Sequence, residues 1–117
     1  MVAYYDAYNS GDEAGLTSLL APDIRLISAQ GEISGLAAYL SLYRYMTSLF
    51  VDHMTPNSIE VEGDKALVQI ENSLTAKHDI ADFMGMSLKN GENITLLLKG
   101  TYMIKNQQII GIDKAII

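Results

Sequence analysis

Apolar and polar residues alternate most regularly in the last third of the chain. Ile94, Leu96, Leu98, Tyr102 and Ile104 fall on one face of an extended run, and Gln108 to Ile117 is a second β-rich run after the turn-prone pair Asn106-Gln107. Two long strands joined by a polar turn are expected, a floor on which upstream helices can pack. Ala66 to His78 reads as a third long strand. Its inward set is Val68, Ile70, Asn72, Leu74, Ala76 and His78, because the alternate set Gln69, Glu71, Ser73, Thr75 and Lys77 is polar throughout. Ser58 to Glu62 also alternates, and Gly63-Asp64 turns the chain between the two.

The first half changes period. Tyr4, Tyr5 and Tyr8 stand at helical spacing in Val2 to Asn9, and Gly11 is placed to end that helix in the left-handed conformation. Asp12 caps a second helix with Leu16, Leu19 and Leu20 on one stripe, and Pro22 stops it. Ile24 to Ser28 is a short strand, with Gln30 to Ile33 as its partner across a turn. Ser34 then caps the longest helix, where Leu36, Tyr39, Leu40, Tyr43, Met46, Thr47 and Phe50 recur at steps of three and four. Asp52 to Asn57 breaks the pattern, with Pro56 biasing Thr55 to an extended conformation. The connection from His78 to Gly91 carries Ile80, Phe83, Met84 and Met86 where a solvent loop would be polar. These side chains fold over a pocket mouth or pack on another subunit.

The element order implies an α+β domain spanning residues 1–117: a curved antiparallel or mixed sheet forming a cone, with three helices on its concave face. The bulk composition removes several functions. A net charge of −6 offers no basic neutralisation to nucleic acid or to an anionic membrane surface. No apolar run approaches the roughly 20 residues of a membrane-spanning helix. Cysteine is absent, which excludes disulfides and thiolate chemistry, and the N-terminal stretch lacks a basic segment ahead of an apolar one. A cytoplasmic protein is expected. His53 and His78 do not form a metal-ligand spacing, and the glycines form no phosphate-cradling pattern, so neither metal nor cofactor is expected.

Tyr8-Asn9-Ser10-Gly11-Asp12, followed by Leu16 and Leu19-Leu20-Ala21-Pro22-Asp23, resembles the opening of the nuclear-transport-factor-2-like superfamily, whose fold is a cystatin-like α+β cone. The likeness is to its SnoaL-like polyketide cyclase and ketosteroid isomerase branches. It continues in Glu32 to Leu40, Gly63-Asp64-Lys65-Ala66 and Phe83-Met84-Gly85-Met86. In ketosteroid isomerases an aspartate moves a proton at carbon while a tyrosine and a protonated acid hold the enolate oxygen. The resemblance puts the tyrosine on Tyr4, the base on or near Ser28 and the acid near Gly100. Neither Ser28 nor Gly100 can perform its role, so steroid isomerase activity is not expected. Limonene-epoxide-hydrolase-like members use an Asp-Arg-Asp group, and Arg25 and Arg44, the two arginines here, have no evident carboxylate pair on the long strands.

A cyclase-like site asks for an acid or histidine projecting into the cone. His78 and Asp113 are the candidate catalytic residues near the strand ends, each balanced by a reading in which it simply meets solvent. Asp113 shares parity with Gly111 and Ala115, and Lys114 with Ile110 and Ile112. Asn72, an amide among apolar neighbours, needs partners that a ligand, a water or a tyrosine could supply. Tyr4, Tyr8, Ser28, Tyr39, Asn72 and Tyr102 are the candidate pocket residues. The outer sheet face carries Leu97, Met103, Ile109 and Ile117, which predicts a homodimer. The leading reading is a SnoaL-like protein of unassigned reaction that binds a small apolar or aromatic metabolite. The alternatives are an acid–base cyclase, isomerase or dehydratase using His78 or Asp113, and a dimeric association module whose cone is filled by side chains.

Overall fold

The strict alternation of the second half becomes one continuous antiparallel ribbon. A computed structural model describes residues 1–29 and 31–117. Its elements are α1 (Val2–Ser10), α2 (Glu13–Leu19), β1 (Leu20–Ser28), β2 (Gly31–Ser34), α3 (Leu36–Leu49), β3 (Phe50–Glu62), β4 (Lys65–Ala76), β5 (Ile80–Phe83), β6 (Met86–Leu88), β7 (Asn93–Lys105) and β8 (Gln108–Ile116). Six strands form the main sheet in the order β2-β1-β8-β7-β4-β3. All neighbours pair antiparallel except β1 with β8, which makes the sheet mixed. Alternate residues of β4 are buried from Ala66 to Ala76, with Asn72 among them.

The helices cover one face. Tyr4, Tyr5 and Tyr8 of α1, Leu16 of α2 and Tyr39 and Tyr43 of α3 share a core with Ile24, Leu26, Val68, Ile70, Leu98 and Tyr102 of the sheet. Gly11 closes α1 at φ 73°, the left-handed conformation that a residue without Cβ adopts at little cost. Asp12 caps α2 by accepting the Gly15 N–H at 2.9 Å. Among the described residues no helix is long and apolar enough to cross a membrane.

Several local expectations are corrected. Asp52 to Asn57 is not a break: β3 runs through it for 13 residues as an edge strand. Pro56 is tolerated because an edge strand can spare a donor, and the register with β4 shifts between Pro56 and Ser58. Phe50 leaves the α3 stripe, takes an extended conformation and opens β3. Gly35, not Ser34, stands at the N-cap of α3, because Ser34 is still paired with Arg25 in the β1–β2 ladder. Helix α2 ends at Leu19 and β1 begins at once, so Pro22 lies inside a strand, within the irregular stretch of its pairing with β8. Gln30 of the expected partner strand lies outside the described residues. Ile109, expected on the outer face, is buried in the core, since the β7–β8 register shifts between Met103 and Ile104. The connection after β4 forms the hairpin β5–β6, and Ile80, Phe83 and Leu88 pack with Met46, Phe50 and Leu74 at the cone mouth.

Candidate functional site

The polar heart of the cone is assembled from α1, α3, β3 and β4. Inward alternation at Phe50, Asp52 and Met54 carries Asp52 into the interior at 8 % exposure. Its two oxygens have separate donors: the Tyr8 hydroxyl donates to Oδ2 at 2.7 Å, and Asn72 Nδ2 donates to Oδ1 at 2.7 Å. The same amide nitrogen also reaches the His53 carbonyl at 3.3 Å. Asn72 therefore finds the partners that a buried amide requires, one of them a carboxylate. Tyr8 is itself fixed, because Tyr43 donates to its carbonyl at 2.7 Å and the two rings meet edge to face at 4.8 Å.

Asn9 supplies the join between helix and edge strand. Its amide donates to the Met54 carbonyl at 2.8 Å and its carbonyl accepts the Met54 N–H at 2.8 Å. One side chain thus imitates a neighbouring strand two residues beyond Asp52, satisfying edge groups that would otherwise lie part-buried and unpaired. Deeper in the core the Tyr4 and Tyr39 hydroxyls lie 2.6 Å apart, and Tyr5 donates to Tyr102 at 2.9 Å.

Beside this network lies a cavity of about 80 Å³. Tyr8, Ser28, Tyr39, Tyr43, Asp52, Asn72 and Lys114 bring polar atoms to a wall otherwise built mainly of leucine and methionine, with Phe83 and Ile116. This volume exceeds the roughly 10–15 Å³ that one water needs, yet it falls below a site of about 300 Å³ or more for a drug-sized ligand. Phe83 and Met84 from the β5–β6 hairpin line it, so part of that apolar connection folds against the cavity, while Met84 and Met86 keep exposed surface.

Of the candidate residues, Tyr8, Ser28, Tyr39 and Asn72 line the cavity, whereas Tyr4 and Tyr102 are sealed in the core behind it. His78 does not join them: β4 ends at Ala76 and the imidazole is exposed. Asp113 is also exposed, on the outer face opposite Thr101, because the parity of β8 turns Lys114 inward instead. The two candidate catalytic residues thus share no cavity with Asn72 or Tyr4. At Gly100 an added Cβ would meet Tyr102 Cε1 at 2.9 Å, so a tyrosine ring fills the space where an oxyanion acid would project. Both arginines are at the surface, Arg25 paired with Glu32 and Arg44 with Glu13. Among the described residues no group of three or more His, Cys, Asp or Glu side chains could hold a metal ion.

Burial sets the titration behaviour of the site. It raises the Tyr8 phenol well above its usual range, and the Asp52 carboxylate pushes the same way. Tyr4, Tyr39 and Tyr102 are likewise raised well above theirs, first by burial. Tyr5 is pushed up to about 12 by burial, against the opposing effect of its hydrogen bond to Tyr102. The Lys114 ammonium is pushed down by burial, partly offset by the charge of Asp52. Asp52 and Lys114 are ionisable residues of the cavity wall that are not among the candidates read from the sequence. The signal for Asp52 was its place between Phe50 and Met54, and for Lys114 its parity with Ile112.

Residues 1–111 match the family described as SnoaL-like domain. Solved structures agree on the fold. A candidate polyketide cyclase from Xanthomonas campestris pv. campestris superimposes with a TM-score of 0.84 at 21% identity, over 97% of this chain and 84% of that one. IdmH from Streptomyces antibioticus, also described as a candidate polyketide cyclase, gives 0.79 at 19% identity, over 97% and 86%. An epoxide hydrolase of M. tuberculosis, described as LEH-like, gives 0.79 at 14% identity, over 99% and 78%. No curated protein matches the chain in sequence.

Proposed function

The chain belongs to the SnoaL-like domain family, and from that premise we propose that it binds a small apolar or aromatic metabolite inside the cone. The observation that carries this reading is Asp52, a buried carboxylate held at both oxygens in the wall of a cavity that is largely lined by apolar side chains. Such a group orients a ligand through one polar contact while the leucine and methionine wall supplies burial. Native mass spectrometry of the purified protein, together with a thermal-shift screen of small aromatic and cyclic ketone compounds, tests it. A bound compound whose affinity falls at least about tenfold in Asp52→Asn supports the reading; a tenfold loss corresponds to about 1.4 kcal/mol. A screen that stabilises nothing at millimolar concentration overturns it.

A second reading, an acid–base enzyme of cyclase, isomerase or dehydratase type, is favoured by the presence of Asp52 and Lys114 in one cavity. Those two groups take the place of His78 and Asp113 in it. The association-module reading is weaker, since the cone keeps open space beside its polar groups.

The outer sheet face suits self-association as a homodimer. Ile27 and Leu97 are exposed there, and Arg25 and Asp113 stand beside Thr101 and Met103 around a shallow cleft. A monomeric mass in sedimentation at micromolar concentration would remove this proposal, and Leu97→Glu should weaken any dimer found. A cysteine-free acidic chain is also compatible with a cytoplasmic setting.

A further inference from the structure

We propose that the Lys114 amine is a carbonyl-reactive nucleophile, condensing with a small ketone or 1,3-dicarbonyl compound held in the cone; the proposal rests on the cavity reading above. Lys114 projects from β8 into that cavity, where it is the one amine among the described lining residues. The other lysines, Lys65, Lys77, Lys89, Lys99 and Lys105, are all exposed. No carboxylate lies within 4.0 Å of Lys114 among the described residues, so no close ion pair locks its amine in the charged form. Its apolar surroundings include Leu26, Met54, Leu98 and Ile116. Such surroundings disfavour the ammonium form of this half-buried side chain, and a larger neutral fraction makes a lysine more nucleophilic.

The chemistry needs no oxidant or second reactant. The Nζ lone pair adds to the carbonyl carbon, forming a C–N bond while the carbonyl π electrons move to oxygen, which takes up a proton. The carbinolamine then loses that oxygen as water: the C–O bond breaks, nitrogen gives up its hydrogens and a C=N bond forms. With a 1,3-diketone the imine shifts to a conjugated enaminone. Water carries the protons between nitrogen and oxygen, and Asp52, the carboxylate in the same wall, contributes its charge to the cavity.

Pentane-2,4-dione is a suitable probe because it is small and its enaminone persists without reductant. The wild-type protein and Lys114→Met would be incubated with it across a pH series, followed by intact mass and peptide mapping. In parallel, thermal shift would be read within minutes of mixing, before covalent labelling accumulates. Labelling at Lys114 faster than at any exposed lysine is expected at each pH below the ordinary lysine range, since a lowered amine pKa enlarges the neutral fraction. The adduct is lost in Lys114→Met, which keeps an unbranched side chain of similar reach at a half-buried position lined by apolar groups. Equal labelling of Lys114 and the exposed lysines, with both proteins still stabilised by the diketone, would overturn the amine chemistry and leave the pocket standing. No stabilisation of either protein and no Lys114 adduct would remove both.

Discussion

Tyr8 and Asp52 stand 44 residues apart in sequence, and the phenol of the first donates to Oδ2 of the second at 2.7 Å. This contact ties the last turn of α1 to the edge strand β3, so the seating of the helix and the orientation of the buried carboxylate are one structural fact. Asn9 reinforces it one residue later through its paired bonds to Met54.

Removing that hydroxyl should be costly. Tyr8→Phe keeps the ring against Tyr43 and leaves Oδ2 of a buried carboxylate without its donor, for an expected loss of about 1.5–3 kcal/mol. Tyr43→Phe deletes a bond of the same 2.7 Å length to a neutral carbonyl, so it should cost about 1 kcal/mol. Urea titration of both variants checks the order. A Tyr43→Phe loss larger than that of Tyr8→Phe would mean that Asp52 recruits another donor.

The buried phenols predict sensitivity to alkali. Unfolded tyrosines ionise near pH ~10, whereas Tyr5 is held up to about 12 and Tyr4, Tyr8, Tyr39 and Tyr102 are raised well above the ordinary value by burial. Above the unfolded value the native state keeps more protons than the unfolded chain. Stability is therefore fully present below about pH 10 and falls as pH climbs toward the native values, by at most about 1.4 kcal/mol per pH unit for each phenol. Tyrosinate absorbance and circular dichroism followed together should change in one cooperative step. Ionisation of these phenols with the native dichroism intact would contradict the burial argument.

Gly100 and Gly111 offer a matched comparison on neighbouring strands. A Cβ on Gly100 would meet Tyr102 Cε1 at 2.9 Å and Ile70 Cδ1 at 3.3 Å, whereas on Gly111 its nearest neighbour is Met103 Cγ at 3.6 Å. Gly100→Ala should lose about 1–3 kcal/mol by overpacking. Gly111→Ala should be close to neutral or slightly stabilising, since its contacts are ordinary and alanine restricts the unfolded chain. Denaturant midpoints of the two variants distinguish these outcomes, and equal losses would place the tightness elsewhere.

The architecture was legible wherever one face is buried and the other polar, because a period of two then leaves no ambiguity. β4 is the clearest case, with Asn72 correctly placed on the inward face by its neighbours Ile70 and Leu74. β3 was hidden because Phe50 and Met54 are the only apolar residues on the inward parity of its first half, and Asp52, His53, Thr55, Pro56 and Asn57 imitate a loop. The acid at the site disappeared with it. Lys114 was obscured differently: Ile109, Ile110 and Ile112 put apolar residues on both parities of β8, and the register shift that decides between them belongs to the pairing with β7. His78 looked inward only because the alternation of β4 was carried past Ala76, where Lys77 N–H instead bonds the Leu49 carbonyl and the chain leaves the sheet.

The β5–β6 hairpin should govern the size of the cavity. It is pinned to the cone by Ile80, Leu88 and Phe83, whose ring lies edge to face with Phe50 at 4.8 Å while also lining the cavity. The hairpin is short, and an isolated two-stranded unit has little stability of its own. Phe83→Ala therefore removes both a pin and a wall, at a cost of about 3–5 kcal/mol if the hairpin stays docked around the void. If it undocks, the penalty is smaller and the loss is confined to residues 80–88. Hydrogen exchange resolves the two: faster exchange in residues 80–88 with β4 and β7 still protected is the expected result, since releasing a marginal hairpin is easier than keeping an empty cavity in a packed core. Uniform protection after the substitution would show that the hairpin is held by Ile80 and Leu88 alone, and the cavity mouth would then be a fixed wall.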